Sequence, residues 1–215
     1  MADLHVKAIV FDMDGTLVDS TGVVEQVWGE FAARHDVDLG ELFAFSHGRQ
    51  AIDTVRRFLP DLDDAARWEI SDGLQADELR RLEGIVEIPG AAAFFNDIPA
   101  SRVALVTSAP RELALLRMEA AGMAFPLVTI TSEDVSAGKP HPEGYLAAAA
   151  QLGVDPRDLV VFEDAPAGIA AARASGATVV VVGPGAGGDF RVDDYRALTV
   201  TADDDDLSIV GLASA

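Results

Sequence analysis

Two aspartates spaced i, i+2 close an apolar run in Ala8-Ile-Val-Phe-Asp-Met-Asp-Gly-Thr-Leu-Val-Asp-Ser20, and this pair, Asp12 and Asp14, could do chemistry. The run from Val6 to Phe11 reads as one strand buried on both faces, stopped by Gly15. An extended backbone turns Asp12 and Asp14 to the same side. Carboxylates meeting at a buried strand end repel each other and resist desolvation unless a cation lies between them. A hard, oxygen-seeking ion such as Mg2+ suits such donors. The pair also lets one carboxylate attack while its neighbour carries protons. An ordinary acidic turn has the same composition. An EF-hand loop does not fit, because its sixth position requires glycine and Leu17 stands there.

Partners for the pair lie further along the chain. The run Val103 to Thr107 ends at Thr107-Ser108, a hydroxyl with adjacent amides at a helix start, suited to phosphoryl oxygens. Lys139 sits in a stiff loop between Gly138 and Pro140, and the run Leu159 to Phe162 ends at a second acidic pair, Glu163-Asp164. In a doubly wound sheet all four strand ends face one edge, where ligands gather. Carboxylates, a hydroxyl and an ammonium there are what Mg2+-assisted phosphoryl transfer through an aspartyl-phosphate requires. Other motifs are weaker. Gly183-Pro-Gly-Ala-Gly-Gly188 fits a dinucleotide fingerprint, but Pro184 removes an amide and Asp189-Phe-Arg-Val-Asp-Asp194 opens no strong helix, so a loop is expected. Asp203 to Asp206 reads as a solvated turn or tail, and no G-x-S-x-G elbow surrounds Ser108.

The elements that must position these residues follow from periodicity. Val24, Val27, Trp28 and Phe31 recur at helical spacing in a helix from Thr21 to His35. A polar break at Ser46-His-Gly-Arg49 precedes helices over Ala51 to Leu59 and Asp63 to Leu82; no strand is expected between 21 and 88. The insertion returns at Ile88-Pro-Gly90, a candidate hinge, and Trp28, Phe31 and Phe58 are its expected interior. Strands and helices then alternate: helices over Arg111 to Ala121, Pro142 to Leu152 and Ala165 to Ser175, strands at Leu127 to Ile130 and Thr178 to Val182, and an edge strand at Leu198 to Val200. The expected fold is α/β, a Rossmann-like doubly wound parallel sheet with a small all-helical insertion after its first strand. Residues 1–20 and 89–215 would form the core and 21–88 the insertion. His47 and Arg49 would face the strand ends on closure; His5, His35 and His141 read as surface or loop residues.

A chain of 215 residues, 49% hydrophobic and 24% charged, suits a soluble globular protein with one core and an appendage. No apolar run reaches the length of a membrane span, and no basic segment followed by an apolar one opens the chain, so a cytoplasmic location is expected. The absence of cysteine excludes disulfides and thiolate chemistry. A net charge of -20 argues against nucleic acid or an anionic membrane as main partner, and obliges local cations to recruit any anionic substrate. Only Lys7 and Lys139 are lysines among the 16 basic residues, a bias that fits either genome composition or a saline habitat. A monomer or weak homodimer is expected.

Together, Asp12-Met-Asp-Gly-Thr-Leu-Val-Asp-Ser20, Val106-Thr-Ser108, Gly138-Lys-Pro140 and Phe162-Glu-Asp-Ala-Pro-Ala-Gly168 resemble the motifs of the haloacid-dehalogenase-like hydrolases, in order and over nearly the whole chain. The helical insertion resembles the cap of their phosphoglycolate-phosphatase and beta-phosphoglucomutase branch. His47-Gly-Arg49, Glu87-Ile-Pro-Gly90 and Gly138-Lys-Pro-His-Pro-Glu-Gly144 are similar to its sugar-phosphate and glycerol-phosphate phosphatases. The resemblance implies that Asp12 is the nucleophile and a Mg2+ ligand. The Asp14 carbonyl would bind the metal while its side chain handles protons, Asp164 would complete the metal shell, and Glu163 would join it directly or through water. Thr16, Thr107, the amide of Ser108, Lys139, His47 and Arg49 would contact substrate, and Lys139 with the metal would keep Asp12 ionised. The implied activity is Mg2+-dependent hydrolysis of a small phosphorylated sugar, polyol or glycerol, with a beta-phosphoglucomutase-type mutase or a phosphoglycolate phosphatase as alternatives. Departures narrow the field. A dehalogenase or phosphonatase of this group lacks the acid found here as Asp14, the phosphonatase cap lysine is missing from 21–88, and Val24 stands where that mutase carries a histidine. A catalytically idle binding module on the same fold is disfavoured by the intact Asp12, Asp14, Lys139 and Asp164.

Overall fold

The computed structural model describes residues 2–214. The apolar run at the start is two strands, not one: β1 (Ala2–Val6) and β2 (Ala8–Phe11). Lys7 separates them, its amide donating to the Asp158 carbonyl at 2.8 Å, and the two strands lie far apart in one sheet. After β2 the chain makes a tight turn to β3 (Val18–Asp19) and enters α1 (Thr21–His35), α2 (Leu39–Ser46), α3 (Ala51–Phe58) and α4 (Asp64–Leu79). It returns through β4 (Val86–Glu87). The expectation of no strand between 21 and 88 is corrected here, since β4 pairs with β3 as an antiparallel ribbon at the root of the insertion. Helix α2 is a further addition. Asp38 caps it, its side chain accepting from the Glu41 amide at 2.8 Å.

The remainder alternates as the periodicity predicts. It runs α5 (Ala91–Asn96), β5 (Val103–Val106), α6 (Arg111–Ala120), β6 (Val128–Ile130), α7 (Glu143–Leu152), β7 (Leu159–Glu163), α8 (Pro166–Ser175) and β8 (Thr178–Val182). Then come β9 (Phe190–Val192), β10 (Thr199–Ala202) and β11 (Leu207–Ser214). The sheet order is β1-β11-β9-β8-β7-β2-β5-β6, with β10 on β11. From β9 to β6 neighbours are parallel, and β1, β10 and β11 form an antiparallel margin. Gly183 to Gly188 is a loop leading to β9, with no helix behind it to receive a pyrophosphate. Asp203 to Asp206 is the turn between β10 and β11, in which Asp203 accepts from the amides of Asp205 and Asp206.

Period-two alternation in the central strand divides the core. Ala8 and Val10 face one side with Tyr145, Ala148, Ile169 and Ala171 from α7 and α8. Ile9 and Phe11 face the other with Phe94, Phe95, Leu113 and Met118 from α5 and α6. Phe11 stacks on Phe162 with ring centroids 5.1 Å apart, so the two strands carrying the acidic pairs are packed rigidly side by side. The insertion has a separate interior around Val27, Trp28, Phe31, Leu42, Val55 and Leu74, with Phe58 packed against it.

Candidate active site

Asp12 follows β2 directly, and its amide donates to the Phe162 carbonyl at 3.0 Å. The chain then folds back on itself, the amides of Leu17 and Val18 returning to the Met13 carbonyl at 2.8 and 3.0 Å. Gly15 makes that turn at φ +82°, and a Cβ there would lie 2.2 Å from Asp164 Oδ2. Only glycine lets the first motif approach the last so closely. Asp12, Glu163 and Asp164 each present an oxygen, all within 4.8 Å of one another.

Lys139 reaches this cluster from the loop after β6, through a cis Lys139–Pro140 peptide. Its ammonium donates to Asp12 Oδ1 and, at 2.7 Å, to Glu163 Oε1. Tyr145 donates its hydroxyl to the same Oε1 at 3.1 Å, while Oε2 accepts the amides of Asp164 and Ala165, each at 2.8 Å. Glu163 is fully buried, with both oxygens engaged. The first turn of α8 presses against it, since a Cβ at Gly168 would fall 1.4 Å from Oε1. Burial pushes the Asp12 carboxyl well above its usual value, an effect Lys139 opposes and Glu163 and Asp164 add to. Burial and Glu163 likewise push Asp164 up to about 7. Burial would lower the lysine, but Asp12 and Glu163 more than offset this and hold it charged. One ammonium thus faces three carboxylates, and Lys139 alone leaves negative charge that a divalent cation bound by oxygen donors would neutralise.

The remaining expected residues fall into two groups. Thr16 is fully buried and donates its hydroxyl to Asp164 Oδ1 at 2.9 Å, which orients that carboxylate; it does not line the cavity above. Thr107 accepts the Ala109 amide at 3.1 Å, so its own hydroxyl proton points elsewhere. Ser108 donates its hydroxyl to the Gly48 carbonyl at 2.8 Å, tying the insertion to the sheet edge. His47 and Arg49 line a cavity of about 190 Å3 together with Asp12, Asp14, Thr107 and Asp164. The Arg49 guanidinium lies 4.4 Å above the Phe45 ring.

Asp14 also faces this cavity, with partners that were not foreseen. Ser20 donates to Asp14 Oδ1 at 2.6 Å, and Arg117 on α6 donates to Oδ2 at 2.8 Å. Arg117 is 3% exposed and also lies 3.3 Å from Glu78 on α4, so it joins Asp14 to the insertion. Burial pushes Glu78 up to about 7, against the pull of Arg117. Tyr145 is flagged only by following Gly138–Gly144, and Ser20 only by closing the first motif. Arg117 and Glu78 give no local signal, because their meeting depends on how α4 and α6 pack.

The family model for haloacid dehalogenase-like hydrolases matches residues 6–176. Hexitol phosphatase A of Escherichia coli (strain K12) is 40% identical over 184 residues, covering 83% of this chain and 84% of its own. Glycerol-1-phosphate phosphohydrolase 2 of Saccharomyces cerevisiae is 36% identical, covering 82% and 74%. In fold, the chain is similar to beta-phosphoglucomutase from Clostridium difficile, with a TM-score of 0.75 at 20% identity over 88% of this chain and 91% of that one. No helix of the described residues is long and apolar enough to cross a membrane. From the matched family model and the extent of these identities, the chain belongs to the haloacid dehalogenase-like hydrolases, with an α/β core of the fold that family shares.

Proposed function

We propose that this protein is a Mg2+-dependent phosphatase that hydrolyses a small phosphomonoester of a sugar, polyol or glycerol, with Asp12 as nucleophile. The observation that carries the reading is the junction of Asp12, Lys139 and Asp164 beneath a cavity that Asp14 also faces. The names of the relatives, a hexitol phosphatase and a glycerol-1-phosphate phosphohydrolase, support the substrate class. Asp12, the Asp14 carbonyl and Asp164 would hold the metal, with Glu163 beside them. The ion, when bound, neutralises phosphoryl charge and favours the ionised form of Asp12.

The steps follow from the side chains. A carboxylate oxygen of Asp12 attacks phosphorus; the ester P–O bond breaks, its electron pair stays with the leaving oxygen, and Asp14 gives that oxygen a proton. Asp14, now a carboxylate, takes a proton from water, whose oxygen attacks the same phosphorus and releases Asp12 and inorganic phosphate. Ser20 and Arg117 hold Asp14 in one orientation for both proton transfers. Lys139 offsets charge on Asp12 and the phosphoryl oxygens, and Glu163 with Tyr145 fixes its place. Thr107 and the Ser108 amide cradle the phosphoryl oxygens. The four-helix insertion acts as a cap over residues 21–88, excluding bulk water and bringing His47 and Arg49 to the phosphate. Val24 lines the cavity with an isopropyl group, which favours hydrolysis over a mutase that needs a titrating group at that position.

Phosphate release over a broad panel of phosphomonoesters, with Mg2+ and with excess chelator, tests the reading. Release confined to small polyol and sugar phosphates, stopped by chelator and restored by Mg2+, is expected. Undiminished release in chelator, or isomer formed without phosphate, contradicts it.

A further inference from the structure

Two groups of charged and polar residues line the cavity. In the first, the His47–Arg49 turn sits against Ser108 and Ala165, because the Gly48 carbonyl accepts the Ser108 hydroxyl at 2.8 Å and a Cβ on Gly48 would meet Ala165 at 2.7 Å. Arg49 extends from this turn, its guanidinium 4.4 Å above the Phe45 ring. In the second group Asp14, the group proposed to act on the leaving oxygen, is bonded to Arg117, and Arg117 in turn faces Glu78. Two acidic side chains share that one guanidinium, so Glu78 has no cation of its own. Glu78 lines the cavity, its side chain is 12% exposed, and no described side chain donates a hydrogen bond to it beyond the ion pair with Arg117. Gln75, one turn earlier on α4, and Thr21 line the same cavity.

We propose that Glu78 is the residue that selects an uncharged, polyhydroxy leaving group: its carboxylate accepts hydroxyl hydrogen bonds and repels any second anion on the substrate. The proposal rests on the phosphatase reading and sharpens its substrate class. A hydroxyl-bearing substrate gives the carboxylate the donors that it lacks. A carboxylate-bearing phosphomonoester meets the Glu78 carboxylate, and Arg117, already shared with Asp14, is not free to pair with it. Specificity comes here from a repulsive element as much as from an attractive one.

Calorimetric binding at pH 8 in Mg2+ tests this on the Asp12→Asn protein, which keeps ligand from turning over. Glycerol phosphate is the neutral-ended probe and phosphoglycolate the acid-ended one. With Glu78 present, glycerol phosphate should bind about ten-fold tighter or more; adding Glu78→Gln should shrink that preference about ten-fold, mostly through tighter phosphoglycolate, while Glu78→Asp retains it. Gln75→Glu, which adds a carboxylate to the same wall, should widen it and serves if Glu78→Gln fails to fold. A preference absent at the outset, or unmoved within two-fold by the charge changes at positions 78 and 75, overturns the assignment. Because the readout is binding, a wild-type protein that releases no phosphate would refute the phosphatase reading separately.

Discussion

Lys139 bonds to Asp12 and Glu163 at once, and the two contacts do different things. The first brings charge to Asp12, the proposed nucleophile; the second, shared with Tyr145 and two amides, fixes where that charge sits. Glu163→Gln should keep the protein folded yet lower kcat about 10–100-fold, the range for losing a group that orients a site residue, with KM changed less. Steady-state rates and a melting curve on the same sample check this. Asp164 gives a second prediction. Its carboxyl titrates in the folded, metal-free protein at about 7 against an ordinary 3.8. Over that window the folded state holds more protons than the unfolded, so the stability of the metal-free protein falls as pH rises through it. Mg2+ binds the carboxylate form, so its stabilisation grows over the same window. The Mg2+-induced rise in Tm should be larger at pH 7.5 than at pH 5.5; an equal rise at both would contradict the placement of the ion at this cluster. Asp12, Asp14, Lys139 and Asp164 were legible in the sequence because each is fixed by a short local pattern at a strand end. Arg117 and Glu78 were not, since a buried arginine is written in the sequence like an exposed one. Thr16 was legible as part of the motif, but its contact with Asp164 was not.

At the level of the elements, the central strands were legible as continuous apolar runs, which only a parallel sheet covered on both faces requires. The same logic merged β1 with β2, because Val6 and Ala8 are both buried and the single residue Lys7 stands between them. Only the departing amide of Lys7 marks the division. Helix α2 was missed although Asp38 and Glu41 announce its start, because Gly40 and the polar Ser46-His-Gly48 flank a short stretch. β11 was missed too, although Leu207, Ile209 and Leu212 carry an interrupted alternation, since Gly211 at φ +106° breaks its period. The rigid pairing of β2 with β7 has a measurable consequence. Phe162→Ala removes a ring packed on Phe11, Phe94 and Tyr195 and should cost about 3–5 kcal/mol in urea unfolding. A loss under about 1 kcal/mol would show that the site's two acidic strands are not held by this packing.

Over the whole molecule a net charge of -20 surrounds a site that must admit an anion. The far field repels the substrate while Lys139 and Arg49, in the role proposed for them, attract it at close range. Salt screens the first over about 10 Å and touches the second less, since Lys139 is buried and Arg49 half-buried. KM for a phosphomonoester should therefore fall as NaCl rises from a few millimolar toward physiological strength, with kcat nearly constant. A KM that climbs steadily with salt from the lowest concentration would mean that attraction dominates even at long range. Charge balance was readable from composition; its opposition to the local site needed the fold. The central claim, that Asp12 takes the phosphoryl group, is tested most directly by phosphate release from Asp12→Asn in saturating Mg2+, on protein whose melting curve shows it folded. The account predicts that release falls about 10^3-fold or more. Turnover within a few-fold of wild type would contradict it.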